Sequence, residues 1–103
     1  MKIGNCSLVI DNTFLELFDF EGMLIYPHKP QLGMLVLSSK DDTFALHIYK
    51  IQSQNDSKYH IQKELTVKTF TTLVGMQYFL NTFSTYKDDD FMNFIHKYDK
   101  EIQ

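Results

Sequence analysis

The sequence predicts an α+β fold in which an antiparallel meander sheet of five or six strands, over residues 6–67, precedes two helices over residues 69–83 and 89–101. Up to residue 67, short apolar segments rich in β-branched and aromatic residues alternate with turn-forming residues, a pattern typical of strands. After Lys68 the apolar residues recur at helical spacing. Strands followed by helices are typical of the α+β class, so we expect the two helices to cover one face of the sheet.

The predicted strands are short and lie between residues that favour turns. They occupy residues 6–10, 12–20, 23–26, 33–39, 43–52 and 58–67. The expected turns and loops are at Glu21-Gly22, at the segment with Pro27 and Pro30, at Asp41-Asp42 and at residues 54–57. Gly, Pro, Asn and Asp at these positions favour turn conformations and interrupt strands.

Turn lengths predict how the last three strands pair. A two-residue turn at Asp41-Asp42 and a four-residue turn at residues 54–57 place one apolar set on a single face, which we expect the helices to cover. This set comprises Leu35, Leu37, Phe44, Leu46, Ile48, Ile61, Leu65 and Val67. The opposite face is mixed and includes Met34, Val36, His47, Tyr49, His60 and Glu64. It is either a solvated sheet face or a docking surface, and a slip of one residue would exchange the two faces.

Both helices show an apolar stripe. The first, with Thr69 as its expected N-cap, carries Phe70, Leu73, Val74, Gln77, Leu80 and Phe83 along one side. The second carries Phe91, Phe94, Ile95, Tyr98 and Ile102. Three consecutive carboxylates, Asp88, Asp89 and Asp90, lie where the second helix begins. Adjacent side chains diverge on a helix and cannot converge on one metal ion, whereas carboxylates at a helix N-terminus accept hydrogen bonds from backbone N–H groups. Asp88 or Asp89 is the expected cap.

Length and composition limit the possible functions. The 103 residues fit one domain, 1–103, with a formal net charge of −3. All ten basic residues are Lys and none is Arg, a weak indication of a low-GC bacterium or a phage. Scattered Lys residues without Arg disfavour nucleic-acid binding, which needs a concentrated basic face. Cys6 is the one cysteine, so no intrachain disulfide is possible, and we find neither a signal peptide nor a membrane-spanning apolar run. We therefore expect a cytoplasmic protein.

Two histidines form the most polar part of the predicted sheet. In the predicted register His47 faces Glu64 and His60 lies opposite Ile51, so a His–Glu couple could act in acid–base chemistry. A zinc site needs a third ligand, and none can be placed beside them. Nucleophile-elbow, dinucleotide-binding and P-loop motifs are absent from the sequence. We therefore expect no metal, no cofactor and no enzymatic activity.

The expected function is the binding of a protein partner by occlusion, as in an inhibitor, an immunity or anti-host factor, or an adaptor or chaperone. Aromatic and Met side chains framed by polar ones are typical of protein interfaces. The candidate partner-binding residues are Met34, Val36, His47, Tyr49 and His60 on the outer sheet face and Tyr86, Asp88, Asp89 and Asp90 on an acidic rim. The rim favours a partner with a basic surface, and a homodimer is compatible as well. The alternative is a small-ligand or enzymatic domain centred on His47, Glu64 and His60.

Overall fold

The protein folds into a six-stranded open sheet with two C-terminal helices on one face, as the computed structural model shows for residues 1–54 and 58–99. The strands are β1 (Lys2–Ile3), β2 (Cys6–Val9), β3 (Phe18–Ile25), β4 (Leu32–Ser39), β5 (Phe44–Ser53) and β6 (Lys58–Phe70). The helices are α1 (Asn12–Leu17), α2 (Leu73–Phe83) and α3 (Asp88–Tyr98). The predicted α+β class is therefore confirmed.

Strand order explains how the chain covers its own sheet. The order is β1-β2-β6-β5-β4-β3, and β3 to β6 form an antiparallel meander. β2 departs from the predicted pattern because it pairs in parallel with the first residues of β6, Lys58 to His60. The chain then crosses the sheet to reach β3 at the opposite edge. α1 lies within this crossing segment.

The neighbouring strands β4 and β5 have buried residues on both faces. One face forms the helix-side cluster, in which sheet residues pack against α2 and α3. Its buried members are Leu32, Met34, Val36, Leu46, Ile48, Leu65, Met76, Phe83, Phe91, Phe94 and Ile95. The other face forms the outer cluster, with buried Leu8, Leu35, Leu37, Tyr49, Ile51 and Tyr59. α1 contributes Phe14 to this cluster, and the Phe14 ring meets the Tyr49 ring edge-on at 5.8 Å.

The predicted pairing of β4 with β5 is wrong by one residue. Leu37 pairs with His47 and Val36 with Ile48. Continued to the turn, this register places Lys40 opposite Phe44 with three residues between them, whereas the predicted turn has two. This shift places Met34 and Val36 among the helices, at 0% and 1% exposure, instead of on an outer docking face. Leu35 and Leu37 move to the outer cluster. A shift of one residue exchanges the faces of a strand.

β6 contains two irregularities that change which side chains face the helices. Its register against β5 shifts between Ile48 and Tyr49 and again between Lys50 and Ile51. As a result Ile61 joins the outer cluster, and Val67 pairs with the outer residue His47, whereas both were predicted on the helix side. The helix-side positions of Phe44, Leu46, Ile48 and Leu65 are as predicted. The predicted turn at residues 54–57 lies largely outside the described residues.

The strand predicted over residues 12–20 begins as a helix, α1, over Asn12–Leu17. The Asp11 side chain accepts a hydrogen bond from the Thr13 N–H at 3.0 Å and caps α1, which the sequence analysis missed. β3 then runs without a break from Phe18 to Ile25. The predicted turn at Glu21-Gly22 is a register shift within this strand, between Phe20 and Gly22. A bulge accommodates an extra residue without ending the strand.

Both C-terminal helices begin at residues other than those predicted. α2 is capped by Thr72, whose hydroxyl accepts from the Gly75 N–H at 3.1 Å, while the expected cap Thr69 belongs to β6. In α3 the N-cap is Lys87, and Asp90 accepts its backbone N–H at 3.0 Å. Asp88, Asp89 and Asp90 occupy the first turn, where negative charge is stabilised by the helix dipole. Residues 100–103, including Ile102, lie outside the described residues.

Side chains attach both ends of α3 to the sheet. At the C-terminal end the fully buried Asp99 carboxylate accepts from Lys50 Nζ at 3.0 Å and from Lys63 Nζ at 2.9 Å. At the N-terminal end the Asp88 carboxylate contacts the His28 imidazole in the loop after β3. A buried carboxylate needs such partners, because an uncompensated charge inside a protein is strongly destabilising. These contacts fix the position of α3 relative to the sheet.

We expect Met34→Ala to lower the free energy of unfolding by about 2–5 kcal/mol, since it creates a cavity beneath the helices. Denaturant unfolding followed by circular dichroism measures this effect. Val74→Ala is the matched control, because Val74 is 75% exposed and its truncation leaves no cavity. A Met34→Ala variant as stable as the unmodified chain would contradict the register described here.

Candidate functional site

A cleft lined by aromatic rings opens where α2, α3 and β6 meet. Its volume is about 560 Å³, within the range of ligand and anchor pockets. The lining residues are Lys68, Phe70, Tyr78, Phe79, Thr82, Tyr86, Asp90, Asn93, Phe94, Lys97 and Tyr98. Six of these eleven side chains are aromatic, so the cleft offers a mostly apolar wall with a few polar groups.

The rings of the cleft support one another through direct contacts. The centroids of Phe83 and Tyr86 are 4.9 Å apart, and those of Phe94 and Tyr98 are 4.7 Å apart. Phe79 contacts both Phe70 and Phe83 at 5.8 Å. Tilted and edge-on ring pairs at such distances are favourable. The cleft is therefore a preformed shape, built on two helices and a strand.

Lys68 provides a cation within this aromatic cleft. Its Nζ donates to the Tyr98 hydroxyl at 2.9 Å and lies 5.7 Å from the Phe79 ring centroid and 5.2 Å from that of Tyr98. The hydrogen bond from Lys68 lowers the pKa of Tyr98 below its ordinary value, against the opposing effect of burial. Lys97 adds a second positive charge over the Tyr98 ring, at 5.3 Å from its centroid.

The predicted acidic rim lies partly at this cleft. Tyr86 and Asp90 line it, and burial, followed by the charge of Asp90, raises the pKa of Tyr86. Asp88 is directed to His28 rather than to the cleft, and Asp89 is exposed. The three carboxylates therefore differ in their surroundings. Two of them already bind groups of this chain, Asp88 the His28 ring and Asp90 the Lys87 N–H.

α2 exposes large apolar side chains on its outward side, among the uncharged polar residues Gln77, Asn81 and Thr82. Val74 and Tyr78 are 75% and 74% exposed, one helical turn apart, and Leu73 beside them is 46% exposed. The helix contains no charged residue, and neither does the longer segment 69–86. The sequence analysis missed this feature, although eighteen consecutive uncharged residues are visible in the sequence.

β6 presents a backbone edge beside α2. Within residues 1–54 and 58–99, β2 is the strand on the outer side of β6, and it pairs only with Lys58, Tyr59 and His60. The outer edge of residues 64–70 therefore continues past the end of β2 without a further described strand. An exposed strand edge offers N–H and C=O groups for pairing with another chain.

The structure does not bring the predicted outer-face residues together. Met34 and Val36 are buried beneath the helices, and Tyr49 is buried in the outer cluster at 6% exposure. His60 is exposed and pairs with Gln52 near the start of β6, whereas His47 pairs with Val67 nearer its end. A docking surface made of all five predicted residues is therefore wrong. A polar centre that includes His60 with His47 and Glu64 is wrong as well.

His47 does contact Glu64, as predicted, and it also contacts a serine. Its Nδ1 lies 3.4 Å from Glu64 Oε2, and its Nε2 lies 3.0 Å from Ser39 Oγ. The Phe18 ring covers the imidazole at 4.7 Å between ring centroids. Burial first, and then the charge of and hydrogen bond to Glu64, raise the pKa of Tyr49 to about 12. A second cleft of about 620 Å³ adjoins His47 and Ser39.

Comparison with known proteins identifies no relative: no protein-family model, no curated protein and no solved structure matches the chain. Among residues 1–54 and 58–99 no helix is long and apolar enough to cross a membrane. In the same part of the chain no group of three or more His, Cys, Asp or Glu side chains is placed to hold a metal ion. The surfaces described above are thus the basis for a functional interpretation.

We expect Lys68→Met to raise the pKa of Tyr98, because the variant removes the hydrogen bond and the positive charge that hold this pKa down. Titration of the tyrosine ring carbons by NMR measures the change. Lys87→Met is the control, since Lys87 is an exposed lysine at the start of α3. An unchanged Tyr98 titration in Lys68→Met would contradict the geometry of the cleft.

Proposed function

We propose that this protein is a binding module that captures an extended segment of a partner protein. The capture surface consists of the aromatic cleft, the outward side of α2 (Leu73, Val74, Tyr78) and the outer edge of residues 64–70 in β6. The observation that carries the proposal is an uncharged helix that exposes Leu73, Val74 and Tyr78 beside an aromatic cleft, which Tyr78 also lines. Contiguous apolar surface of this kind is typical of protein interaction sites.

The strand edge supports an extended partner rather than a helical one. A segment that adds a strand to residues 64–70 gains backbone hydrogen bonds whatever its sequence, and pockets beside the edge then select its side chains. β3, at the other edge of the sheet, is less suited, because it contains a register shift between Phe20 and Gly22 and the charged residues Asp19 and Glu21. In β6, residues 66–70 lie beyond the register shifts and contain one charged residue, Lys68. Bulges and charges are features by which edge strands avoid pairing.

The cleft supports an apolar anchor on that segment. Phe70 and Lys68 belong to both the strand and the cleft lining, so a side chain leaving the added strand would reach the aromatic rings. An apolar or aromatic anchor suits these rings, because buried aromatic contacts dominate binding energy at interfaces. Lys68 and Lys97 are donors at the rim, and a carbonyl or carboxylate beside the anchor would satisfy them.

Capture of this kind would act by occlusion. The partner segment would be sequestered in the cleft and along the strand, which is how an inhibitor, an immunity or anti-host factor, or an adaptor works. The acidic rim residue Asp90 lies at the same cleft, so a basic residue flanking the anchor would be favoured there.

We expect a displayed library of random peptides, selected on the full chain, to yield binders with an apolar or aromatic anchor. In NMR titrations these peptides should perturb residues 64–70, Tyr78 and Phe94 rather than the outer cluster. The double variant Val74→Glu, Tyr78→Glu should weaken binding by about 10-fold or more, because it places charges on apolar contacts. Both positions are exposed, so the fold is retained.

A matched control is Asn12→Glu with Gln31→Glu, which adds the same charge at exposed positions outside the capture surface. The control variant should bind as the unmodified chain does. Two results would contradict the proposal. One is a selection in which no peptide is enriched on the unmodified chain relative to the Val74→Glu, Tyr78→Glu variant. The other is a chain that sediments as a dimer and becomes monomeric in that variant, since its occupant would then be a second copy.

A further inference from the structure

Three polar side chains form a continuous relay across three strands on the outer side of the sheet. Ser39 lies at the end of β4, His47 in β5 and Glu64 in β6. Ser39 Oγ is 3.0 Å from His47 Nε2, and His47 Nδ1 is 3.4 Å from Glu64 Oε2. Each imidazole nitrogen thus has one partner, a hydroxyl on one side and a carboxylate on the other. This is the order in which a nucleophile, a general base and an orienting acid are arranged in acyl-transfer enzymes.

A bulge in β6 is what directs Glu64 to this side. Above the bulge Ile48 pairs with Thr66, and below it Tyr49 pairs with Glu64, so residue 65 is extra. Continued without the bulge, the register would pair Glu64 with Lys50, whose side chain reaches Asp99 on the helix side. A bulge of this type re-aims a side chain and is over-represented beside active sites.

The relay also has the surroundings that such chemistry requires. The His47 side chain is 19% exposed, while that of Glu64 is 44% exposed and also hydrogen-bonded to Tyr49. The Phe18 ring shields the imidazole on one side. The cleft of about 620 Å³ beside it has an apolar part, formed by Leu17, Phe18, Ala45 and Val67, and a polar part with Glu16, Lys40, Asp41 and Thr43.

We propose that Ser39, His47 and Glu64 form a nucleophilic site for small acyl esters. In this site Ser39 is the nucleophile, His47 the general base, and Glu64 a positioning residue that keeps the imidazole proton on Nδ1. Lys40 lines the same cleft, with its Nζ 3.8 Å from Asp19 Oδ1, and it supplies positive charge for the oxyanion that forms as the ester is attacked. Ser39 and the His47 ring lie on the opposite side of the sheet from α2 and the aromatic cleft, and only Glu64 is shared with the strand edge of the capture surface. The labelling test below needs no partner peptide, so its outcome is separate from that of the proposed binding function.

The reaction proceeds in two balanced steps. Ser39 Oγ forms a bond to the ester carbonyl carbon, its proton passes to His47 Nε2, and the ester C–O bond breaks as that proton moves to the departing alcohol. Water then attacks the acyl-serine, gives a proton to His47, and releases the carboxylic acid as the proton returns to Ser39 Oγ. No oxidant or metal takes part. The apolar part of the cleft lining suits a short aliphatic acyl group.

A fluorophosphonate probe tests this site on the full chain. We expect the probe to form a P–O bond to Ser39 with loss of fluoride, located by tandem mass spectrometry. Labelling of Ser39 should be about 100-fold faster than labelling of exposed Ser84, which reflects the usual contribution of a general base. Ser39→Ala should abolish the fast labelling, His47→Ala should slow it by about 100-fold, and Ser84→Ala should leave it unchanged.

A second measurement addresses Glu64 without depending on reactivity. Nitrogen-15 NMR of the His47 ring should show the proton on Nδ1 in the unmodified chain and on Nε2 in Glu64→Ala, with labelling slowed at least ~10-fold. Hydrolysis of 4-methylumbelliferyl butyrate should follow the labelling rates across the same variants. Absence of labelling at Ser39, or equal labelling rates at Ser39 and Ser84, would overturn the proposal in a chain that circular dichroism shows to be folded.

Discussion

The burial of β4 on both faces is the constraint on which the rest of the structure depends. Leu35 and Leu37 face one side and Met34 and Val36 the other, and all four are at most 1% exposed. A strand buried on both faces needs a covering layer on each side. The C-terminal helix pair supplies one layer, and the N-terminal crossing segment with Phe14 contributes to the other. The C-terminal helices and the N-terminal segment therefore cover opposite faces of the same sheet.

This arrangement determines where apolar surface is left over. The inward sides of α2 and α3 are used against the sheet, and α3 has charged residues on its outward side. α2 contains no charged residue, and its Val74 and Tyr78 side chains are exposed beside the aromatic cleft. The strand edge of β6 adjoins the same cleft. The proposed capture surface therefore consists of apolar and aromatic side chains that the core does not bury, and aromatic residues are enriched at protein interfaces.

Periodicity predicted the class of the fold and the two C-terminal helices, but not the sheet register. Met34, Leu35, Val36 and Leu37 are all apolar, so their pattern does not indicate which pair faces the helices. The bulges in β6 were equally invisible, because they depend on contacts between strands. Residues 12–17 have an aromatic and apolar composition that resembles a strand. They form a helix instead, and the Asp11 side chain caps it.

The candidate sites were predictable to different degrees. The side-chain contact of His47 with Glu64 was predicted because Glu64 pairs with Tyr49 instead of His47, a difference of two residues that keeps Glu64 on the same face. Ser39 was missed for the opposite reason, since the one-residue error between β4 and β5 placed it on the helix side. Tyr86 and Asp90 were predicted as part of an acidic rim and do line the cleft. The outward side of α2 could have been recognised from the uncharged segment 69–86.

Backbone hydrogen exchange of the isolated chain tests the central claim most directly, namely that the chain covers its own sheet and leaves the edge at residues 64–70 for a partner. In a monomeric sample we expect alternate amides of residues 64–70 to exchange far faster than the amides of β4 and β5, which have a strand on each side. Uniformly slow exchange along β6, equal to that of β4 and β5, would show that the edge is already covered and would contradict the account.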